Sequence, residues 1–173
     1  VTANLNVFQV ETINSNIATT NTLMADGNSL DNTWTVTGLN SGVVTDSAGL
    51  TVAFGGIPGF SVLTGNTTVT TNTAVDRFTV NANTSINTLS GAAGNDEFTI
   101  AGTVTTVYGG DATNPGTGDD TFTLNATNLT GTTIYGGGGV DTFNVNGNTT
   151  NVVLNGGDGD DIFVTEVDGD ADD

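Results

Sequence analysis

Five aspartates stand two residues ahead of a phenylalanine: Asp76, Asp96, Asp120, Asp141 and Asp161 precede Phe78, Phe98, Phe122, Phe143 and Phe163. The phenylalanines lie 20, 24, 21 and 20 residues apart, so a charge is paired periodically with a large apolar side chain. Four of these aspartates close glycine-rich turns: GAAGND (91–96), GGDATNPGTGDD (109–120), GGGGVD (136–141) and GGDGDD (156–161). Carboxylates and backbone carbonyls are hard oxygen donors, and about six to eight of them at ~2.3–2.6 Å suit Ca²⁺. Glycine lets a turn aim its carbonyls at an ion without a Cβ in the way. The candidate ligands are Gly91, Gly94 and Asp96 in the first turn, and Gly109, Gly110, Asp111, Gly118 and Asp120 in the second. The third turn offers Gly136, Gly137, Gly139 and Asp141, and the fourth Gly156, Gly157, Asp158, Gly159 and Asp161. Asp119 and Asp160 add further ligands or only charge. A single such turn reads as a solvated loop; four in register with Asp-x-Phe read as a metal-binding series.

The rest of the composition narrows the metal. There is no His and no Cys, so nitrogen and thiolate ligands are excluded and an oxygen-binding ion such as Ca²⁺ or Mg²⁺ is favoured over zinc or copper. Nineteen acidic residues face one basic residue, Arg77, for a formal net charge of −18. No basic patch is available for nucleic acid, and anionic membrane surfaces would repel the chain. No apolar run approaches the ~20 residues of a membrane-spanning helix, so membrane insertion is not expected. Cations are the natural partners.

These residues need elements to position them. Asn, Thr, Gly, Val and Asp dominate, a mixture of strand and turn formers, and no 3.6-residue apolar periodicity is visible. Short alternating runs recur instead: TWTVTGL (33–39), LTVAF (50–54), RFTVN (77–81), EFTIA (97–101), TFTLN (121–125) and TFNVN (142–146). Each reads as a strand with one apolar face, and the chain as all-β. Leu89, Val107, Ile134 and Leu154 end a strand just before each glycine turn, and Asn/Gly-rich turns at 81–83, 125–128 and 146–148 follow the Phe strands. A repeat of about 20 residues with two short strands makes one coil of a narrow parallel β-solenoid, with coils stacked at the ~4.8 Å strand spacing. The phenylalanines form one inward ladder, and Ile100, Leu124 and Val145 a second. Stacked carboxylates with no ion between them would repel, so the fold should be weak without calcium.

The turns resemble the G-G-x-G-x-D-x-U-x nonapeptide of RTX (hemolysin-type) proteins, U being a large apolar residue. GGGGVDTFN (136–144) and GGDGDDIFV (156–164) match every defined position. GAAGNDEFT (91–99) has Ala92 at the second glycine, and Gly109–Thr123 matches once ATNPGT (112–117) is set aside as an insertion. TNTAVDRFT (71–79) keeps the aspartate and phenylalanine but lacks glycine. The resemblance covers roughly residues 85–168. It implies a β-roll-like architecture in which the first six residues of each motif bind Ca²⁺ and the apolar residue fills the core. RTX arrays carry two such turns per coil; this chain has one, so several ions are expected along one edge only.

Residues 1–70 read as an irregular β-region, either a cap or continuing coils, followed by repeats over 71–168 and an acidic tail over 169–173. NTWTVTGLNSG followed by FSVLTGN in the first region resembles segments of large bacterial surface adhesins. Arg77, beside the glycine-free turn, is expected to pair with a neighbouring acid. The function expected is a non-enzymatic one: a secreted, extracellular calcium-stabilised module, part of an adhesin or self-assembling into a surface filament or layer. Its partners would be calcium, other copies of itself, and a carbohydrate or cell-surface target. Two alternatives compete. Thr-rich runs at 67–73, 103–106 and 130–133 could build an ice-binding face, though their spacing is not regular from coil to coil. The chain could also be the non-catalytic repeat region of a secreted polysaccharide-active enzyme.

Overall fold

The computed structural model describes residues 3–6, 21–24, 31–38, 41–46, 48–49, 51–54, 60–64, 75–110, 116–125, 129–147 and 149–165. None of them is helical; seventeen strands account for most of them. The first six are β1 (Ala3–Asn6), β2 (Asn21–Met24), β3 (Asn32–Gly38), β4 (Ser41–Asp46), β5 (Thr51–Phe54) and β6 (Phe60–Thr64). Then come β7 (Arg77–Val80), β8 (Ser85–Ser90), β9 (Glu97–Ile100), β10 (Thr103–Tyr108), β11 (Thr121–Leu124) and β12 (Leu129–Thr130). The last five are β13 (Thr133–Gly138), β14 (Thr142–Val145), β15 (Thr149–Thr150), β16 (Val153–Asp158) and β17 (Ile162–Thr165).

Fifteen of the strands fall into two facing sheets, between which the chain alternates from β6 onward, and β12 and β15 pair in a small third sheet. Sheet A has the order β1-β2-β6-β8-β10-β13-β16, all parallel. Sheet B has the order β17-β14-β11-β9-β7-β3-β4-β5, parallel from β17 to β3. The β3–β4 and β4–β5 pairings are antiparallel. Each passage through one strand of A and one of B therefore advances the chain by one strand, which is a β-solenoid. Four regular coils, β8–β9, β10–β11, β13–β14 and β16–β17, carry the repeat. Both sheets run on without a break past residue 70 into β6, β3 and β2.

The coil length follows from the alternation. Four-residue B strands bury positions two and four, as Phe78 and Val80 or Phe122 and Leu124 do. Parallel register then places like on like: Trp34, Phe78, Phe98, Phe122, Phe143 and Phe163 share one row. Ring centroids are 4.9 Å apart from Phe78 through Phe143, and these rings lie within 12° of parallel. Val36, Val80, Ile100, Leu124 and Val145 form the second row. Sheet A answers with Leu89, Val107, Ile134 and Leu154 in register. Stacking thus turns a thin repeat into one continuous core, each buried ring contributing about 1.5–3 kcal/mol and ring–ring contact somewhat more.

Register also reveals an order on the outer face that spacing alone conceals. Thr35, Thr79, Thr99 and Thr123, all half-buried, align on sheet B, and Thr88, Thr106 and Thr133 on sheet A. The β4–β5 detour and the insertion before β11 change the sequence interval without disturbing the pairing, so threonines that look irregular along the chain are regular across it. The Thr-rich run at 67–73 lies outside the described residues.

A Phe122→Ala variant should lose about 3–5 kcal/mol of unfolding free energy, read from its urea midpoint. Phe163→Ala should lose far less, because that terminal ring is 52 % exposed.

Candidate metal centre

The glycine turns all run from sheet A to sheet B: 91–96 joins β8 to β9, 109–120 joins β10 to β11, 139–141 joins β13 to β14, and 159–161 joins β16 to β17. They therefore share one edge of the solenoid. The Asn/Gly-rich turns make the other edge, where Asn146 Nδ2 donates to Asn125 Oδ1 at 3.1 Å.

On the glycine edge the aspartates form a single file. Asp96, Asp120 and Asp141 are buried, as is Asp76 before them. Each carboxylate Oδ1 accepts the backbone N–H of the equivalent residue one coil back. Asp76 N donates to Asp96 Oδ1 at 2.8 Å, Asp96 N to Asp120 at 2.7 Å, Asp120 N to Asp141 at 2.8 Å and Asp141 N to Asp161 at 3.0 Å. The file starts where the motif is not visible: Asn32 N donates to Asp76 Oδ1 at 2.9 Å. Asn32-x-Trp34 has the spacing of Asp-x-Phe with a neutral isostere and a larger ring, a signal that a search for aspartate passes over.

A second file, one residue earlier in each turn, bonds the opposite way. Val75 N donates to Asp31 Oδ1 at 2.9 Å, Asp119 N to Asn95 Oδ1 at 3.0 Å and Val140 N to Asp119 Oδ1 at 2.8 Å. Side chains thus continue the sheet ladders around the bend, where backbone pairing cannot. These residues carry no glycine signature, and their role shows only once coils are in register.

The other carboxylate oxygen is the one with chemistry left. Asp96 Oδ2 and Asp141 Oδ2 are buried without a hydrogen-bond partner. A Cβ placed on Gly91 would run into Asp96 Oδ2 and the Gly109 carbonyl oxygen. On Gly109 it would meet Asp120 Oδ2 and the Gly136 oxygen, and on Gly136, Asp141 Oδ2 and the Gly156 oxygen. So at each of these three junctions a carboxylate oxygen and a carbonyl oxygen of the following coil both border the space that a Cβ on the intervening glycine would fill. A second oxygen file comes from Gly94, Gly118 and Gly139, whose carbonyls take up the space that a Cβ on Gly118, Gly139 or Gly159 would need. Only glycine permits that approach.

Other candidates lie differently. The Gly110 carbonyl is already engaged, accepting Ser90 Oγ at 2.8 Å and Ala92 N at 3.1 Å. Gly137 and Gly157 turn the chain with φ of 122° and 100°, and the Gly137 carbonyl lies against Gly157. Ala92 fills the same place in its turn at φ 76°, a conformation that costs a side-chain-bearing residue about 1–2 kcal/mol. Asp158 and Asp160 are exposed, and Asp111 falls outside the described residues. Among the described residues no three acidic side chains converge on one point; the carboxylates are strung along the edge, and the remaining oxygens are backbone.

This arrangement is electrostatically unbalanced. Burial pushes the Asp96 carboxyl up to about 9, helped by the neighbouring charges of Asp120 and Asp76 and opposed by the N–H it accepts from Asp76. Burial likewise raises Asp120 to about 8, with Asp141 and Asp119 adding to it, and Asp141 to about 6, with Asp161 adding to it. The N–H each accepts from the preceding coil works against the rise in both. Buried oxygens in file, with no cationic side chain beside them, call for a proton or a hard cation. The only basic residue, Arg77, is committed elsewhere on sheet B: its Nε lies 3.0 Å from Glu97 Oε2 and its Nη1 3.9 Å from Asp31 Oδ2. That is the pairing with neighbouring acids expected from the sequence.

No protein-family model matches this chain, and no similar chain was found among curated proteins or solved structures.

The pH dependence follows from the raised values. A carboxyl whose folded pKa exceeds its unfolded one stabilises the fold at low pH, and that contribution is lost as pH rises through the folded value. In divalent-free buffer the urea midpoint should therefore fall steadily between pH ~5 and ~9, spanning Asp141, Asp120 and Asp96. A midpoint rising over that range would remove these carboxylates as the controlling groups.

Proposed function

We propose that this chain is a calcium-stabilised structural module that works outside the cell. The observation that carries the reading is the row of buried aspartate Oδ2 atoms beside glycine carbonyls, two of them without any hydrogen-bond partner. Asp96, Asp120, Asp141 and Asp161 would supply charge, and the carbonyls of Gly109, Gly136 and Gly156 neutral oxygens. A bound divalent ion supplies the positive charge that each junction otherwise lacks. The donor set is all oxygen and largely backbone, which suits the flexible coordination of Ca²⁺ better than the strict octahedron of Mg²⁺. The likeness of the turns to RTX repeats points to the same ion.

Several modest sites, each helping one coil onto the next, fit surroundings rich in free calcium, hence secretion and the cell surface. A rod of this kind serves as a spacer or adhesive element, alone or within a larger adhesin, and its ends favour association with further copies. The reading is of a scaffold, with a carbohydrate or cell-surface target as its outside partner, rather than of a catalyst.

Removing calcium tests it. At free calcium about 100 times Kd, one site adds about 2.7 kcal/mol, so the unfolding temperature should drop by many degrees on adding EGTA and recover with Ca²⁺ but not Mg²⁺. Asp120→Asn keeps the acceptor for Asp96 N while losing the charge. It should shrink the calcium response and leave calcium-free stability equal or higher. Asp120→Ala also strands that buried N–H and should cost about 1–3 kcal/mol in either buffer. Equal unfolding temperatures with and without calcium would sink the calcium reading.

One observation favours a second reading. The aligned column Thr35, Thr79, Thr99 and Thr123 makes a regular hydroxyl row on sheet B, the feature an ice-binding face requires. Thermal hysteresis of the calcium-loaded protein, abolished by Thr99→Tyr, would support it; absence of hysteresis in the parent chain would dismiss it.

A further inference from the structure

The first and last described levels of sheet B differ in construction. At the N-terminal end sheet B closes with β3, β4 and β5, joined by connections of two and four residues. Antiparallel neighbours of this kind form through local hairpins, whereas each later parallel junction needs a whole coil. Trp34 is fully buried and stacks on Phe78 with centroids 6.1 Å apart. The file position held elsewhere by aspartate is occupied here by uncharged Asn32. Arg77 lies between Asp31 and Glu97, so the only basic side chain in the protein links three successive levels of sheet B.

From the turn before β11 onward the edge has carboxylates and no cation. Asp119, Asp120, Asp141, Asp158, Asp160 and Asp161 line the turn edge, and no basic residue follows Arg77. Among the glycine turns, the first in which a carboxylate Oδ2 and a carbonyl of the next coil crowd the same glycine is that of Asp96 and Gly109, at the junction between β9 and β11. At the far end Phe163 stacks on Phe143 at 4.7 Å yet stays 52 % exposed.

We propose that the coils from β3 through β9 form a calcium-independent seat on which the coils from β10 onward assemble only when calcium neutralises their turn edge. This rests on the calcium reading above. Order then spreads toward the C-terminus, each coil offering the next a ring face and a backbone N–H that only a following aspartate satisfies. The Arg77 pairs are exposed and individually modest; the seat holds because they add to local antiparallel pairing and to a β3–β7 junction in which Asn32 leaves one buried file carboxylate, Asp76, instead of two.

Hydrogen exchange of the full chain, in EGTA and at free calcium about 100 times Kd, tests the seat. Amides of β11, β14 and β17 should lose about 100-fold in protection in EGTA, while those of β3, β4 and β7 keep theirs. Uniform loss across all six strands would leave calcium binding standing and overturn the seat. Uniform retention would overturn the calcium reading and the seat with it. An Arg77→Gln variant should exchange about 5-fold faster at β7 and β9 in EGTA and normally with calcium. No change in EGTA, or equal loss in both buffers, would overturn Arg77's place in the seat.

Discussion

The whole edge depends on one hydrogen bond repeated: a backbone N–H of one coil given to an aspartate Oδ1 of the next. At the bend the strands of the two sheets part, and the peptide there loses the neighbour that a sheet would provide. A buried N–H without an acceptor is costly. Aspartate is short enough to reach it from the same position one coil on. The solution brings a carboxylate into the interior once per coil, and with it a second oxygen that the protein itself does not satisfy. Core and charge are therefore inseparable here, because the residue that closes each turn also sets the Phe two positions later into its row.

Glycine makes this geometry possible, for a specific reason. Coils are held at about 4.9 Å by the aromatic rows, and at that spacing a carbonyl of one turn comes to rest where a Cβ on the next turn's glycine would lie. A side chain at Gly118, Gly139 or Gly159 would push coils apart along the glycine edge while the Phe stack holds them together in the core. Tight aromatic packing and oxygen-lined turns are thus one constraint seen from two sides. The opposite edge makes the same demand at Gly102, where a Cβ would run into the Asn81 and Thr84 carbonyl oxygens, yet it also holds the short extra strands β12 and β15 and an asparagine pair.

The architecture was largely legible from residue order. Period, strand positions, the Phe row with its second apolar row, and the placement of one glycine turn per coil on a common edge all follow from Asp-x-Phe recurring at near-constant intervals. Arg77 pairing with an acid was legible as well, because a lone cation in so acidic a chain has few alternatives. Harder to see were Asn32 and Trp34 as the opening step, since neither matches the residue types of the later coils, and Asp31, Asn95 and Asp119 as a counter-running file, since they sit at a variable position of the motif.

What the sequence alone determined is what neighbours within one coil decide: which residues alternate inward, where the chain must bend, and which carboxylates and glycines meet at the bend. What only the tertiary structure decided is what passes between coils. It assigned Oδ1 to a neighbour's N–H and left Oδ2 beside a carbonyl; it aligned threonines that sequence intervals had scattered; it paired β3, β4 and β5 of sheet B antiparallel and left Phe163 half exposed. These contacts join residues 20 to 44 apart. Their register is set by how the apolar rows stack, and each oxygen's environment by the burial that stacking produces, so neither exists until the coils are brought together.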